Sequence, residues 1–253
     1  MYSYIKKDVG QFIIYSVYNK NLFNRQPTDN KTKGKPKKAF DEMSLSEKAD
    51  SVERRKKALI KRSEELKELI LFNLSIKPDK SNSHKFITLT FDTDVFDLKV
   101  ANKEFRNFIK RLNYYLDTTI DYITVSETQC KSKRIHFHTI LFNCPYIDSN
   151  KLSDIWKNGF VKINKINKSK NGFLGASNYL SKYLLKEFDI ERRHSKTYLK
   201  SKNLKEPPIE KGYIYDGRIL KDIKQSDDVI FKKHFSYEMN GFNFKKDYII
   251  LRK

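Results

Sequence analysis

An α+β fold, built on a mainly antiparallel central sheet with helices over its faces, is compatible with the order of strand and helix patterns in this 253-residue chain. Two observations agree with it. Apolar residues recur with a period of two in some segments and of 3.6 in others. Two of the period-two segments, Tyr122 to Glu127 and Arg134 to Phe142, are joined only by the polar stretch Thr128 to Lys133, which predicts an antiparallel hairpin. Charge sets the functional frame: 52 Lys and Arg stand against 31 Asp and Glu, a net charge of +21. That excess calls for a polyanionic partner, nucleic acid before an anionic membrane, although Lys-rich composition also arises through codon bias in AT-rich genomes. Cys130 and Cys144 fit no Cys-x-x-Cys spacing, which argues against a zinc knuckle or a disulfide scaffold. No apolar run approaches the length of a membrane span, and Met1 to Lys7 lacks the apolar core of a signal peptide, so the expectation is a cytoplasmic protein.

Taken in order, Gln11 to Val17 reads as a strand and leads into Gln26 to Lys38, whose Pro, Gly and Lys content predicts a flexible basic arm. Ser44 and Glu47 form a capping box that opens a helix with Leu45, Val52, Leu59 and Leu66 at seven-residue spacing. Its remaining faces carry Arg54, Arg55, Lys56, Lys57, Lys61 and Arg62, so the basic side is expected to face outward. Lys85 to Phe91 alternates as a central strand, and Asp92 and Asp94 end it. About Lys99 to Leu116, Val100, Phe105, Phe108, Ile109 and Leu112 share a helical face. A short helix around Ser149 to Asn158 carries Trp156 and is stopped by Gly159, and Phe160 to Ile166 makes another strand. From Gly172 onward the chain is helical again, with Tyr179 and Tyr183 one turn apart and Lys182 and Lys186 beside them. Residues 150–205 hold fourteen Lys and Arg against four Asp and Glu, which predicts that the phosphate backbone lies there. Pro207-Pro208 marks a break, and Val229 to Tyr237 with Phe242 to Leu251 across Asn240-Gly241 predicts a C-terminal hairpin. The expected organisation is therefore a basic N-terminal segment with its arm (1–43), a basic amphipathic helix (44–80), a core (81–206) and a hairpin extension (207–253). There is no Gly-x-x-x-x-Gly-Lys-Ser/Thr stretch, so no helicase motor is encoded here.

The most informative stretch is Arg134-Ile135-His136-Phe137-His138-Thr139-Ile140-Leu141-Phe142. In a strand, His136 and His138 project from one face while Ile135, Phe137 and Thr139 project from the other. Two imidazoles then point at one spot, and neutral imidazole suits a transition metal. Taken alone, such a pair is more readily explained as two ordinary histidines on the solvated face of a half-buried strand.

Three elements in order extend the pattern. Phe-Ile-Thr-Leu-Thr-Phe (86–91), His-Phe-His (136–138) and Tyr-x-x-Lys-Tyr-x-x-Lys (179–186) resemble the first, second and third motifs of HUH endonucleases, specifically rolling-circle replication initiator (Rep) proteins of plasmids and phages. The likeness covers roughly residues 85–190, and the tyrosines follow the histidines, an order that favours a replication initiator over a mobilisation relaxase. Two tyrosines separated by three residues resemble the two-tyrosine class, while Tyr183-Leu184-Leu185-Lys186 also resembles the single-tyrosine class.

The resemblance implies the HUH/Rep nuclease fold, an RRM-like sheet with the metal site on its middle strands and the tyrosine helix crossing near it. It implies a divalent metal, manganese or magnesium, on His136 and His138, with Glu127 chosen as third ligand and Asp92, Asp94 and His84 as weaker candidates. Tyr183 and Tyr179 become the candidate nucleophiles, Tyr183 being preferred if only one acts, with Lys182 and Lys186 neutralising phosphate or phenolate. One tyrosine packing, or stacking on a base, stays open. Arg192, Arg193, Lys168, Lys170 and Arg134 are candidate DNA contacts. The implied activity is site-specific nicking and rejoining of single-stranded DNA at a replication origin through a phosphotyrosine, starting rolling-circle replication, with host helicase and polymerase following and no membrane partner. A transposase or relaxase of the same chemistry, and a non-catalytic basic nucleic-acid-binding regulator, are the competing expectations. Residues 1–80, the C-terminal hairpin and the Asp-rich turn after residue 91 have no motif assignment.

Overall fold

The computed structural model describes residues 1–20, 39–128, 134–167, 171–186, 198–239 and 242–253. In chain order the elements are β1 (Tyr2–Asp8), β2 (Phe12–Tyr18), α1 (Leu45–Ser75), β3 (Ser83–Thr90), α2 (Leu98–Leu116), β4 (Asp121–Thr128) and β5 (Ile135–Cys144). They continue with α3 (Ser149–Trp156), β6 (Val161–Lys165), α4 (Gly172–Lys186), β7 (Leu199–Lys200), β8 (Ile209–Ile214), α5 (Gly217–Gln225), β9 (Val229–Met239) and β10 (Phe242–Arg252). The architecture is α+β: two antiparallel five-stranded sheets with helices. The chain divides into two compact units, one joining Met1–Lys48 to Glu206–Lys253 and the other formed by Ala49–Lys205.

In the first unit the strand order is β8-β1-β2-β10-β9. Val17, Ile214 and Leu220 form a small core with Tyr2, Tyr4, Tyr15 and Ile223, which seats α5 on one face of the sheet. The two ends of the chain, taken from sequence as separate segments, thus share one sheet. Pairing of β1 with β8 joins residues about two hundred positions apart, and no local periodicity reports such a partner. The expected C-terminal hairpin is present as β9 and β10, while its Asn240-Gly241 turn and the arm at 26–38 lie outside the described residues.

The second unit holds a sheet of order β6-β3-β5-β4-β7. Its strands are pinned in register by pairings such as Thr88↔His138, Thr90↔His136, Val125↔His138 and Glu127↔His136. Alternation along the strands gives the two faces opposite characters. One face carries Ile87, Leu89, Phe91, Ile135, Phe137 and Leu141, which pack with Phe105, Phe108 and Leu112 of α2 and with Leu152 and Trp156 of α3 in one dry core. Trp156 is fully buried, and its indole N–H donates to the Thr90 carbonyl at 3.0 Å, so the largest core side chain also ties α3 to the end of β3. Arg111 closes the same corner by donating to the Ile155 and Trp156 carbonyls at 2.8 and 2.9 Å, capping the C-terminus of α3.

Several local signals act as their chemistry dictates. Ser44 and Glu47 make the reciprocal capping-box bonds, with Glu47 Oε2 accepting from Ser44 N at 2.8 Å and Ser44 Oγ from Glu47 N at 3.3 Å. The seven-residue series on α1 is buried only from Leu59 onward; Leu45 is 87% exposed. In α2, Val100 faces solvent and its neighbour Ala101 is buried instead, so the apolar face begins one residue later than the periodicity predicts. The Asp-rich turn gains a structural role: Asp97 caps α2 by accepting from Lys99 N, and Asp94 pairs with Arg134 at 2.7 Å. Helix α3 ends at Lys157 in the left-handed region, two residues before Gly159. Gly159 has φ +132°, and a Cβ there would stand 2.5 Å from Asp92 N and 2.6 Å from Thr90 O.

Both backbone contacts are rigid, so Gly159→Ala is expected to destabilise the protein by at least roughly 2 kcal/mol. Urea denaturation monitored by the Trp156 signal measures this. A midpoint equal to wild type would refute the close-packing role of Gly159.

Candidate functional site

The second face of the Ala49–Lys205 sheet is polar at its middle. His136 and His138 on β5 stand between Thr90 and Thr88 on β3 and Glu127 on β4. The Thr90 hydroxyl lies 3.3 Å from His136 Nδ1, and the Thr88 hydroxyl lies 3.3 Å from His138 Nδ1. Each ring therefore has its Nδ1 side engaged by a neighbouring strand, which leaves Nε2 as the functional edge. A hydroxyl can donate to Nδ1 or accept from Nδ1–H, so it fixes the ring in either tautomer. On the other side, His138 Nε2 sits 2.9 Å from Glu127 Oε2, and the second carboxylate oxygen accepts from Lys186 Nζ at 3.2 Å.

Helix α4 brings the tyrosines to this spot. Its buried face, Phe173, Ser177, Leu180, Ser181, Tyr183 and Leu184, recurs at helical spacing. The Ser63 hydroxyl of α1 donates to the Ser181 carbonyl at 3.2 Å, joining the two helices. The Tyr183 ring stacks on His138 with centroids 4.0 Å apart and planes at 15°, while Tyr179 meets His138 edge-on at 5.9 Å. The Tyr183 hydroxyl donates to the Tyr179 hydroxyl at 2.6 Å. Phe86 supports Tyr179 edge-to-face at 5.3 Å, and Lys186 Nζ lies 4.7 Å above the Tyr183 ring. The two tyrosines differ in exposure: Tyr183 is 8% exposed and Tyr179 is 46%.

Electrostatics follow from this packing. Burial pushes the Tyr183 hydroxyl well above the usual phenol range, and its bond to Tyr179 and the nearby Glu127 charge act in the same direction. It is held as a protonated donor at neutral pH. Burial also lowers the pKa of His138, outweighing its bond to Glu127, and lowers that of His136, with the neighbouring His138 adding to the effect. Both imidazoles are thus neutral. Because a carboxylate only accepts, His138 donates its Nε2–H to Glu127 while its Nδ1 accepts from the Thr88 hydroxyl, and an ion at Nε2 would take the place of that hydrogen.

Of the residues singled out from sequence, His136, His138, Glu127, Tyr179, Tyr183 and Lys186 are brought together. Lys182 is exposed on the flank of α4. Arg134 is tied to Asp94 at the start of β5, and Asp92 uses its backbone N–H on the Asn158 carbonyl. His84 is buried between the Asn143 N–H and the Ile76 carbonyl, a structural position. Lys168, Lys170, Arg192 and Arg193 lie outside the described residues. Thr88 and Thr90 share a face of the alternating strand read at Lys85 to Phe91; their place beside the rings depends on register. Beside the cluster runs a groove of about 690 Å³, lined by Phe86, Thr88, Tyr179, Phe160, Lys162 and Asn164 among others.

The residues that could hold a divalent ion are His136, His138 and Glu127. Among the described residues, no three His, Cys, Asp or Glu side chains are gathered closely enough to form a metal cluster as they stand. The donor types nevertheless fit such an ion: two neutral imidazoles presenting Nε2 and a carboxylate already in contact with one of them.

Comparison with known proteins places this same segment. Residues 84–188, less than half of the chain, match the model of the family described as Replication-associated protein ORF2. A search of curated proteins finds no match. Among solved structures, the crystal structure of the hypothetical protein ORF119 from Sulfolobus islandicus rod-shaped virus 1 is similar at 21% identity over 47% of this chain and 92% of that chain, with a TM-score of 0.36. The family match spans β3, β4, β5 and α4, the elements that build the site, and supports a replication-initiator type of protein.

Proposed function

We propose that the Ala49–Lys205 unit nicks and rejoins single-stranded DNA at a replication origin through a phosphotyrosine, initiating rolling-circle replication. The observation that carries this reading is the convergence of two tyrosine hydroxyls 2.6 Å apart with His138, Glu127 and Lys186 beside an open groove. A packing role alone explains the buried Tyr183. It does not explain a half-exposed Tyr179 lining that groove, with the Tyr183 donor behind it and the Lys186 ammonium over the Tyr183 ring.

Tyr179 is the first nucleophile in this scheme, in place of the preference for Tyr183 drawn from sequence. Because the Tyr183 O–H donates to it, the Tyr179 oxygen has its own hydrogen directed elsewhere and a lone pair available. Tyr179 Oη attacks the scissile phosphorus, the bond from phosphorus to O3′ breaks, and the departing O3′ ends as a hydroxyl carrying the proton the phenol gave up to solvent. A 5′-phosphotyrosine remains, and a later 3′-hydroxyl reverses the exchange with no loss of phosphodiester energy. Lys186 places positive charge against Glu127 and over the Tyr183 ring, where it offsets the negative charge gathering at the phosphate. A divalent ion on His136, His138 and Glu127, when bound, would supply Lewis-acid polarisation of the phosphate. Thr88 and Thr90 then act as positioning residues, holding each ring by Nδ1.

The reading is tested with labelled single-stranded oligonucleotides from the protein's own replicon, incubated with manganese or with chelator and resolved on a denaturing gel. A metal-dependent protein–DNA adduct is expected. Tyr179→Phe should lower its rate on the order of 10³-fold, while Tyr183→Phe, which removes only the donor, should cost about tenfold. An adduct that persists at wild-type rate in the double variant would place the nucleophile elsewhere; tight binding without any adduct would indicate a non-catalytic nucleic-acid-binding protein.

Thr88→Val with Thr90→Val should leave the melting temperature within a few degrees of wild type yet raise the manganese concentration for half-maximal adduct formation about 10- to 100-fold. Direct manganese titration should show the same shift. Unchanged manganese affinity would show that the hydroxyls serve strand packing only.

A further inference from the structure

The row of functional side chains does not end at β3. Thr90 N donates to the Phe160 carbonyl at 2.9 Å, and Lys162 pairs with Thr88 and Asn164 with Phe86 across the antiparallel β3–β6 ladder. Paired residues in such a ladder share a face, so Phe160 continues the row of Thr90 and His136, and Lys162 continues the row of Thr88 and His138. Two strand spacings put Phe160 and Lys162 roughly 10 Å from the histidines, at the edge of the sheet. Phe160 is 66% exposed there, Lys162 and Asn164 are exposed, and all three line the groove that Tyr179 also lines.

An aromatic ring left in water beside a cation, on the rigid strand next to a candidate phosphate-cleaving site, has the composition of a base-stacking platform. Residues two apart on one strand face stand about 6.6 Å from each other, so one ligand can meet the ring with a flat apolar group and the ammonium with an anion. The amide of Asn164, one further step along, can both donate and accept, as the edge of a nucleobase requires.

We propose that Phe160 stacks on a base flanking the scissile phosphate and that Lys162 pairs with that nucleotide's backbone, making the β6 side of the groove a nucleotide subsite for single-stranded DNA. The inference rests on the nicking reading for its position relative to the cut, but the binding it describes can be measured without cleavage. The groove is open, and its polar contacts come from an edge strand whose backbone is already fixed by β3. The subsite is therefore preformed, and binding need not order a loop.

Two measurements with the full chain test it. Fluorescence anisotropy with a mixed-sequence single-stranded 20-mer should show Phe160→Ala binding about 5- to 150-fold more weakly than wild type, with Phe160→Trp close to wild type. Phe160→Leu keeps apolar bulk and should behave like the alanine variant, which separates stacking from any effect on folding. Equal affinity of wild type and Phe160→Leu would overturn the proposal. On an oligonucleotide that wild type cleaves, a scan of single abasic sites should reveal one position beside the cut whose loss slows wild type but not Phe160→Leu. The same abasic penalty in both proteins at every position would overturn the placement next to the cut. Absence of any cleavage by wild type would sink the nicking reading while leaving the anisotropy result to decide the stacking role.

Discussion

The register of β5 between β3 and β4 is the constraint on which the rest of the Ala49–Lys205 unit depends. His136 and His138 face the site only because Ile135, Phe137 and Leu141 face the α2–α3 core, and the pleat admits no other division. A slip of one residue would drive both imidazoles into a dry aromatic cluster and expose Phe137 on the polar face. The core therefore enforces the site: the burial of Phe137 against Phe91 and Phe105, at 6.3 and 4.9 Å between centroids, is the same event that aims the histidines. Trp156 and Gly159 reinforce this at the far end of β3. One is bonded to the Thr90 carbonyl, and the other lets the chain pass so near that backbone that no side chain fits.

On the opposite face the arrangement holds polar groups in a half-dry place without leaving them unsatisfied. Each imidazole is engaged at Nδ1 by a threonine hydroxyl, Glu127 divides its two oxygens between His138 and Lys186, and the Tyr183 hydroxyl finds Tyr179. The network is one in which every group has a neighbour capable of exchanging a proton or accepting an ion, and burial keeps the imidazoles neutral. A surface pair of histidines on a solvated strand would have none of these supports. That difference separates the structure from the plainer explanation of the His-x-His pattern.

Elements whose signals are local were legible in the sequence, and those that depend on distant partners were not. The strand at 83–90, the histidine strand, the tyrosine helix and the capping box each carry their evidence within one or two turns of chain. The nearness of Glu127 to the histidine strand was also legible, because a strand separated from that strand by few residues has few registers available, and the observed one sets Glu127 opposite His136. The sheet β8-β1-β2-β10-β9 was not accessible: it is assembled from both ends of the chain, and strand β1 is too mixed in polarity to announce a face. Phe160 and Lys162 were missed for a related reason. They read as ordinary strand residues until the β3–β6 register shows which rows they extend.

The spacing of the two tyrosines contains an asymmetry that the sequence conceals. Positions four apart on a helix share a face but need not share a depth, because they lie about 6 Å apart along the helix axis. Here the later residue lands flat on His138 and is sealed, and the earlier one is half-exposed and lines the groove. In the proposed nicking reaction the two chemically identical side chains would take opposite tasks: the buried hydroxyl, resistant to ionisation, would donate, and the exposed one would accept that donation and attack. Exchange of these tasks would require Tyr183 to leave its stack on His138, which would uncover the very ring that the candidate metal site needs held in place. The packing thus favours a fixed division of labour over two interchangeable nucleophiles, and the strength of that preference is set by one ring-on-ring contact.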